Sequence, residues 1–199
     1  MLLSSLRAGT ERGSRYENCR VLLRQPRLAD WEAWAELRRS SREFLVPWEP
    51  TWSRDALTRQ AFRRRVRAYD TEWRDGTSFS FLVFRRDDEA VLGGITLSNV
   101  RRGVAETASL GYWIGAGHAH QGYMTEALVC ALDFAFERLS LHRVEAACLP
   151  NNAASKGLLF KVGFTQEGYT RRYLRINGDW RDHLLFAILR DDPRARSQP

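Results

Sequence analysis

The sequence contains few of the residues that would hold a small fold together covalently or place it in a membrane. It has three cysteines, Cys19, Cys130 and Cys148, and their spacing fits neither a metal site nor a redox pair. An odd number of cysteines also argues against a disulfide framework and favours a reducing compartment. No run approaches the ~20 consecutive apolar residues of a membrane-spanning helix, and residues 1–19 lack the apolar centre of a signal peptide. We therefore expect a soluble, unprocessed cytoplasmic protein without a metal.

Lysine is scarce as well, because Lys156 and Lys161 are the only two in the chain. The formal net charge of +7 therefore comes almost wholly from arginine, and nucleic acid has to be considered as a partner. The arginines are scattered among acidic residues, and no recognisable nucleic-acid motif accompanies them. The sequence does not predict specific nucleic-acid binding; its charge favours long-range attraction of an anionic ligand or of an assembly rich in RNA.

The spacing of apolar residues predicts a single domain that contains both helices and strands. A first strand is followed by two helices, three β-rich runs, a helix, a strand, a helix and a final hairpin. The hairpin is indicated by Asn177-Gly178, a pair that favours tight turns. A length of 199 residues fits one domain, which we place at 19–190. Residues 1–18 are predicted to be a flexible segment and 191–199 a tail.

Local signals refine this order at several positions. Ser53 is the predicted N-cap of the second helix, and Gly76 its C-terminal glycine. The helix that follows the central strands has an apolar stripe and should pack on the sheet. That stripe consists of Ala127, Leu128, Ala131, Leu132, Ala135 and Phe136. We expect Phe160 and Phe164 in the core.

The stretch "HAHQGYMTEAL" at 118–128 holds no obvious catalytic side chain, yet its backbone is suited to binding an anion. "GYWIG" before it reads as a strand, and a helix is predicted to begin near Gln121 or Gly122. The first amides of a helix have no acceptor within it, and its dipole favours negative charge at that end. Gly122 would let a phosphate approach the main chain. Alone, however, a glycine before a helix also fits ordinary turn chemistry.

Taken together, several stretches carry a family resemblance over residues 19–190. They are "GYWIG", "QGYMTEAL", "LHRVEA", "NNAASKGLLFKVGF" and "EGYTRRYLRINGDWRDHLLFAIL". In order and spacing they resemble the GNAT superfamily of acetyl-CoA-dependent N-acetyltransferases, and within it the RimJ/RimL branch that acetylates N-termini of ribosomal proteins. The resemblance implies an α+β fold with a mixed, mostly antiparallel sheet of about seven strands, splayed between the fourth and the fifth and flanked by about four helices.

The resemblance also implies how acetyl-CoA would be bound. The pyrophosphate would lie on the amides of Gln121, Gly122, Tyr123, Met124 and Thr125, although Ala119, His120 and Met124 depart from the family's usual residues. The pantetheine arm would pair with the main chain of Trp113, Ile114 and Gly115, and Asn152 and Ser155 would face it. Without the resemblance, Asn152 is simply a helix N-cap and Ser155 a helix-surface residue.

The reaction that the resemblance implies is direct attack of an amine on the thioester. Ser155 is the preferred proton donor to the leaving thiolate, with Tyr173 or Tyr169 as alternatives. Glu106 and Glu49 are the candidate bases, and the choice between them stays open. Backbone amides near Ile114 would stabilise the oxyanion.

The acceptor is expected near the loop "FLVPWEPTW" and the last hairpin. Trp48, Glu49 and Trp52 would form a stiff wall for an entering peptide N-terminus, and Tyr173, Trp180 and Asp182 would overhang the cleft. A protein N-terminus, such as that of a ribosomal protein, is the predicted partner, and the chain is expected to be a monomer or a homodimer.

Two other functions stay open at this point. The same fold can acetylate a small amine such as an aminoglycoside or a polyamine, although the positive net charge argues against that. The chain could also bind acetyl-CoA or RNA without catalysis, because its pyrophosphate loop departs from the usual pattern.

Overall fold

The computed structural model describes residues 16–18 and 20–194, and the following elements lie within them. The strands are β1 (Tyr16–Asn18), β2 (Val21–Arg24), β3 (Phe79–Arg85), β4 (Val91–Arg101), β5 (Thr107–Ile114), β6 (Arg143–Cys148), β7 (Thr165–Ile176) and β8 (Asp179–Leu189). The helices are α1 (Trp31–Ser40), α2 (Arg42–Leu45), α3 (Arg59–Asp75), α4 (Tyr123–Asp133) and α5 (Ala153–Val162). None of these helices is both long and apolar enough to cross a membrane.

The strands form one sheet in the order β1-β2-β3-β4-β5-β6-β8-β7. Every neighbouring pair is antiparallel except β5 and β6, which are parallel. Their pairing runs from Thr107↔Arg143 to Leu110↔Ala146 and stops there, although both strands continue. This divergence confirms the predicted splay, and it opens a gap beside the carboxyl half of β5.

Helices cover both faces of the sheet. On one face α4 and the π-helical turn that continues it (Phe134–Arg138) bury the predicted stripe, in which all six residues are at most 4% exposed. On the other face Trp34 of α1 and Phe62 of α3 pack with Leu22, Leu82 and Phe84 of the first strands. The central strands therefore have a helix layer on each side, and β5 is held in place up to the point where it leaves β6.

Several local predictions need correction. The second long helix begins at Arg59 rather than after Ser53, because the Thr58 side chain caps it by accepting from the Ala61 amide. The predicted end is confirmed, since Gly76 adopts a φ of 68°. Phe160 is half exposed rather than buried, and its ring packs edge-to-face with Phe186 at 5.4 Å between the ring centres.

The ends of the domain also differ from expectation. Residues 16–18, assigned to a flexible segment, form β1 and pair with β2, while residues 1–15 lie outside the described residues. Arg194, assigned to the tail, lies over the Phe136 ring at 4.6 Å and within 3.5 Å of Asp133. Ordered chain therefore continues beyond both predicted boundaries.

Candidate active site

The gap beside β5 exposes main-chain groups of the predicted pantetheine-binding strand. The Gly115 amide donates to the Leu92 carbonyl at 2.8 Å. This bond shows which peptide groups of β5 face β4 and which face the gap. Peptide groups alternate in direction along an antiparallel pair, so those of Ile114 and Tyr112 face away from β4 and into the gap. Of the three residues that the resemblance placed along the pantetheine arm, only Ile114 turns its main-chain groups into the gap, because those of Trp113 and Gly115 face β4. The Ile114 amide is therefore the one of the three that could donate to a carbonyl oxygen in the gap.

The amino end of α4 lies just beyond this strand. Gly122 adopts a φ of 85°, a conformation that other residues rarely take, and α4 begins at Tyr123. The first bond within the helix runs from the Glu126 amide to the Gly122 carbonyl at 3.2 Å. The amides of Tyr123, Met124 and Thr125 therefore have no acceptor within the helix. Met124 is buried, so only its main chain is available to an anion.

Asn152 and Ser155 lie at the amino end of α5, on the other side of the gap. The Asn152 Oδ1 accepts from the Ser155 amide at 3.0 Å, so Asn152 is the helix N-cap. The Ser155 Oγ lies 2.6 Å from the Tyr112 hydroxyl. Tyr112 is a side chain that the sequence did not single out, and it links α5 to the strand that borders the gap.

Two of the predicted catalytic residues do not join this group. Glu106 precedes the far end of β5, about 20 Å from Tyr112 at ~3.3 Å per residue, and its carboxylate accepts from the Gly103 amide and from Arg102. Tyr173 is half exposed on β7 and packs its ring against His183. The alternative, Tyr169, bonds to Asp182. The structure therefore keeps Ser155 as the candidate proton donor and removes Glu106 from the site.

A cleft of about 460 Å³ lies on the α1 side of β5 and contains Glu49 and Trp52. The Glu49 carboxylate accepts from Arg38 at 2.5 and 3.2 Å and from the Trp52 indole at 2.7 Å. The Arg38 guanidinium also stacks over Trp52 and Trp113, at 4.5 and 4.7 Å. Among the described residues that line this cleft, Glu49 has the only carboxylate. We call this cavity the acceptor cleft.

A second cavity, of about 590 Å³, lies between the loop before α3 and the β7–β8 hairpin. Trp48 and Trp180 line it, together with Arg172, Arg181 and Asp182. The Glu49 carbonyl accepts from the Asn177 amide at 2.9 Å, which ties the loop to the hairpin between the two cavities. The predicted wall is thus divided, because Trp48 faces this hairpin cavity whereas Glu49 and Trp52 face the acceptor cleft.

Comparison with known proteins places this geometry in a family. The sequence pattern of the acetyltransferase (GNAT) domain matches residues 20–165, which is most of the chain. The chain belongs to the GNAT family of acetyltransferases. This identification agrees with the splayed β5, the glycine before α4 and the capped α5.

Individual relatives support the same assignment. The [ribosomal protein uS5]-alanine N-acetyltransferase of Escherichia coli is 35% identical over 165 residues, which cover 82% of this chain and 85% of that protein. The probable N-acetyltransferase YjcK of Bacillus subtilis is 33% identical over 172 residues, which cover 86% and 95%. The structure of Mycobacterium smegmatis RimJ in complex with CoA-disulfide has a TM-score of 0.80 and 35% identity, covering 85% of this chain and 81% of that one.

The residues of this GNAT chain fit acetyl-CoA. The fit rests on the free amides at the start of α4, on the absence of a Cβ at Gly122, and on the peptide groups of β5 that face the gap. Gln121 lies in the loop before Gly122, where its side chain donates to the Gly117 carbonyl and its main-chain carbonyl accepts from Arg20. Across the described residues no cluster of three or more His, Cys, Asp or Glu side chains could hold a metal ion.

Arg20 supports the amino end of α4, and the sequence did not reveal it. Its Nε and Nη2 donate to Glu126 Oε1 at 2.7 and 2.5 Å, and Nη2 also donates to the Gln121 carbonyl at 3.1 Å. The guanidinium lies 4.8 Å from the centre of the Tyr123 ring. These contacts hold the turn at Gly122 in its unusual conformation and place positive charge beside the helix end.

We predict that Arg20→Ala weakens acetyl-CoA binding. Loss of the three bonds releases the turn and removes a charge, so the KM for acetyl-CoA should rise ~10-fold while kcat changes less than ~3-fold. Steady-state kinetics with acetyl-CoA as the varied substrate measure both quantities. Arg39→Ala, which breaks an exposed pair with Glu36 on α1, is the matched control and should leave both unchanged. An unchanged KM in Arg20→Ala would contradict this role.

A second prediction concerns stability at high pH. Burial raises the pKa of Tyr112 to about 12, although its hydrogen bond with Ser155 opposes the rise. Between about pH 10 and 12 the unfolded chain loses this proton while the folded chain keeps it, so stability falls as the pH rises. A shift of two pKa units corresponds to at most about 3 kcal/mol. The free energy of unfolding, measured with denaturant near pH 9 and pH 11, should fall further in the wild type than in Tyr112→Phe. The difference is the contribution of the Tyr112 proton. Equal losses in both proteins would refute the prediction.

Proposed function

We propose that this GNAT enzyme transfers acetyl to the N-terminal α-amine of a protein, of the alanine or serine type found in ribosomal proteins. The observation that carries the proposal is the acceptor cleft, which reaches β5 from the face opposite α5 and ends at Trp113 and Tyr112. An acceptor in the cleft and a donor in the gap would meet at the same strand. The 35% identity with a uS5-alanine N-acetyltransferase supports this acceptor class.

Two cavities on either side of one loop favour a peptide over a small amine. The acceptor cleft would take the first residue, and the hairpin cavity would take residues that follow it. Arg38 and Arg65 line the cleft beside its single carboxylate, so a polycationic amine would meet positive charge there. The net charge of +7 would attract an assembly rich in RNA, such as a ribosome.

Glu49 is suited to orienting the amine. Its carboxylate already accepts from Arg38 and Trp52, and these two donors fix its orientation. Its remaining lone pairs can then accept from the amine in a defined direction. An α-amine has a reference pKa of about 7.7–8.0, so part of it is neutral at pH 7 without a strong base. A lysine side chain has a reference pKa of about 10.4, so it would need a more effective base than this cleft supplies. The cleft therefore favours α-amines, because it offers no group suited to removing a proton from a lysine side chain.

The donor side requires groups that stabilise charge and deliver one proton. Bound acetyl-CoA supplies the activated thioester carbon and the leaving sulfur. The Ile114 amide would donate to the developing oxyanion, and the amides at the start of α4 would hold the pyrophosphate. Ser155 would donate its hydroxyl proton to the sulfur, and Asn152 keeps Ser155 in place by capping α5.

Thiol release from acetyl-CoA tests the proposal. The panel contains peptides with free N-terminal Ala, Ser, Thr or Met, the same peptides with blocked N-termini, a polyamine and an aminoglycoside. We expect turnover with the free N-termini only. Faster turnover with the polyamine or the aminoglycoside would replace the proposal with small-amine acetylation. Protection of the protein against heat by acetyl-CoA, without turnover on any acceptor, would indicate a binding protein.

A further inference from the structure

Tyr112 joins the sheet to the candidate proton donor. Its hydroxyl lies 2.6 Å from Ser155 Oγ and 3.4 Å from the Ser155 carbonyl oxygen. The two residues are 43 positions apart in the chain, and they meet only because β5 leaves β6 where α5 begins. A separation of 2.6 Å is at the short end of the usual range of about 2.5–3.0 Å for an O–H···O bond, whereas 3.4 Å lies beyond that range. The bond to Oγ is therefore the main contact of the Tyr112 hydroxyl.

The direction of this bond follows from the acidity of the two groups. Either hydroxyl could donate at this distance. Because a phenol is a stronger hydrogen-bond donor than an aliphatic alcohol, we infer that protonated Tyr112 donates and Ser155 Oγ accepts; Ser155 would donate only to the phenolate. Burial keeps the phenol protonated throughout the neutral range. The hydrogen of Ser155 then points away from Tyr112. Nearby lies the buried Cys148 thiol, whose pKa is raised by burial and lowered in part by a hydrogen bond with Ser155.

We propose that Tyr112 is a positioning residue that holds Ser155 Oγ and directs its hydrogen toward the leaving sulfur. The proposal rests on the role of Ser155 in the proposed function. A donor to Oγ does two things: it fixes the side-chain rotamer, and it stabilises the negative charge that grows on Oγ as its proton departs. The sulfur would then meet a hydroxyl that is already oriented.

The protons balance without any other reactant. As the carbon–sulfur bond breaks, the Ser155 O–H bond breaks and its proton passes to the sulfur. The acceptor nitrogen loses one proton to water when the new amide bond forms, and Ser155 recovers one proton from water. Tyr112 keeps its own proton throughout, in agreement with its burial.

Tyr112→Phe tests the proposal because phenylalanine keeps the ring and removes only the hydroxyl. We expect kcat to fall ~10-fold, the effect of one lost hydrogen bond to the reacting group, while the KM for acetyl-CoA stays within ~2-fold. A purely structural role would change stability or KM instead. Thr107→Val is the matched control, since it removes a buried hydroxyl without a hydrogen-bond partner from the same strand. It should leave kcat unchanged, and melting curves of all variants verify folding.

A double-mutant cycle with Ser155→Ala separates this inference from the proposed function. If Tyr112 acts through Ser155, adding Tyr112→Phe to Ser155→Ala should lower kcat by less than ~2-fold. A further ~10-fold loss in the double variant, or a normal kcat in Tyr112→Phe, would overturn the positioning role and leave the function intact. A normal kcat in Ser155→Ala would overturn both roles, because Tyr112 would then have no donor to position.

Discussion

Replacing Ser155 by alanine should lower kcat for a peptide acceptor ~10²-fold, the usual contribution of a general acid. The Ser155 side chain lies at the amino end of α5, bonded to Tyr112, where a leaving sulfur in the gap would need a proton. Alanine keeps the helix and its backbone bond to Asn152, so the KM for acetyl-CoA should change less than ~2-fold. Initial rates at saturating acetyl-CoA, with binding followed by calorimetry, measure the two effects separately.

Asn152→Ala provides the contrast to this result. It removes the N-cap of α5 and costs about 1 kcal/mol of stability, typical for such a cap. The KM for acetyl-CoA should rise, and kcat should fall by less than in Ser155→Ala, because Ser155 loses the support of its cap but keeps its hydroxyl. If Ser155→Ala instead raised KM and left kcat unchanged, Ser155 would be a binding residue and the proton donor would lie elsewhere.

Gly93→Ala should destabilise the protein by about 3 kcal/mol, the upper end of the usual cost of forcing extra volume into a packed site. Gly93 lies on β4 opposite Ile114. A Cβ there would overlap the Trp113 carbonyl oxygen and lie 3.1 Å from the Ile114 Cα. Main-chain atoms cannot rotate away, so β5 itself has to shift. For a chain of this size the melting temperature should fall by about 10 °C.

A matched glycine tests whether the cause is this overlap. Gly157 lies within α5, and a Cβ there would meet nothing within 4 Å. Gly157→Ala should raise stability by up to about 1 kcal/mol, because alanine favours the helix. Thermal unfolding of both variants gives the comparison. A Gly93→Ala protein as stable as the wild type would mean that β5 can shift at little cost, contrary to its tight pairing with β4.

The sequence predicted the parts of the site that depend on neighbouring residues. Gly122 before a helix, Asn152 at a helix start and Asn177-Gly178 in a turn each have a local cause, and all three occur as predicted. The order of strands and helices likewise follows from apolar spacing along the chain. The splayed pair could be predicted through the family resemblance, because no local pattern shows where two parallel strands separate.

Contacts between residues far apart in the chain could not be predicted from local sequence patterns. Arg20 and Glu126 are 106 positions apart, and Tyr112 meets Ser155 only through the tertiary fold. Glu106 was considered as a base because it precedes β5, but it lies at the end of the strand opposite the gap. Glu49 was predicted as a candidate base and as part of the acceptor wall, but the sequence did not show that Arg38 and Trp52 both donate to it. Charge and sequence position alone cannot show which carboxylates are already engaged.

The most direct test of the account is the position of the acetyl group on a peptide that offers both kinds of amine. The peptide has a free N-terminal alanine and one internal lysine, and it is incubated with acetyl-CoA and the wild-type enzyme. Fragmentation in the mass spectrometer locates the modification. We expect acetyl on the α-nitrogen of alanine and none on the lysine. Acetyl on the lysine, with the N-terminus left free, would contradict it.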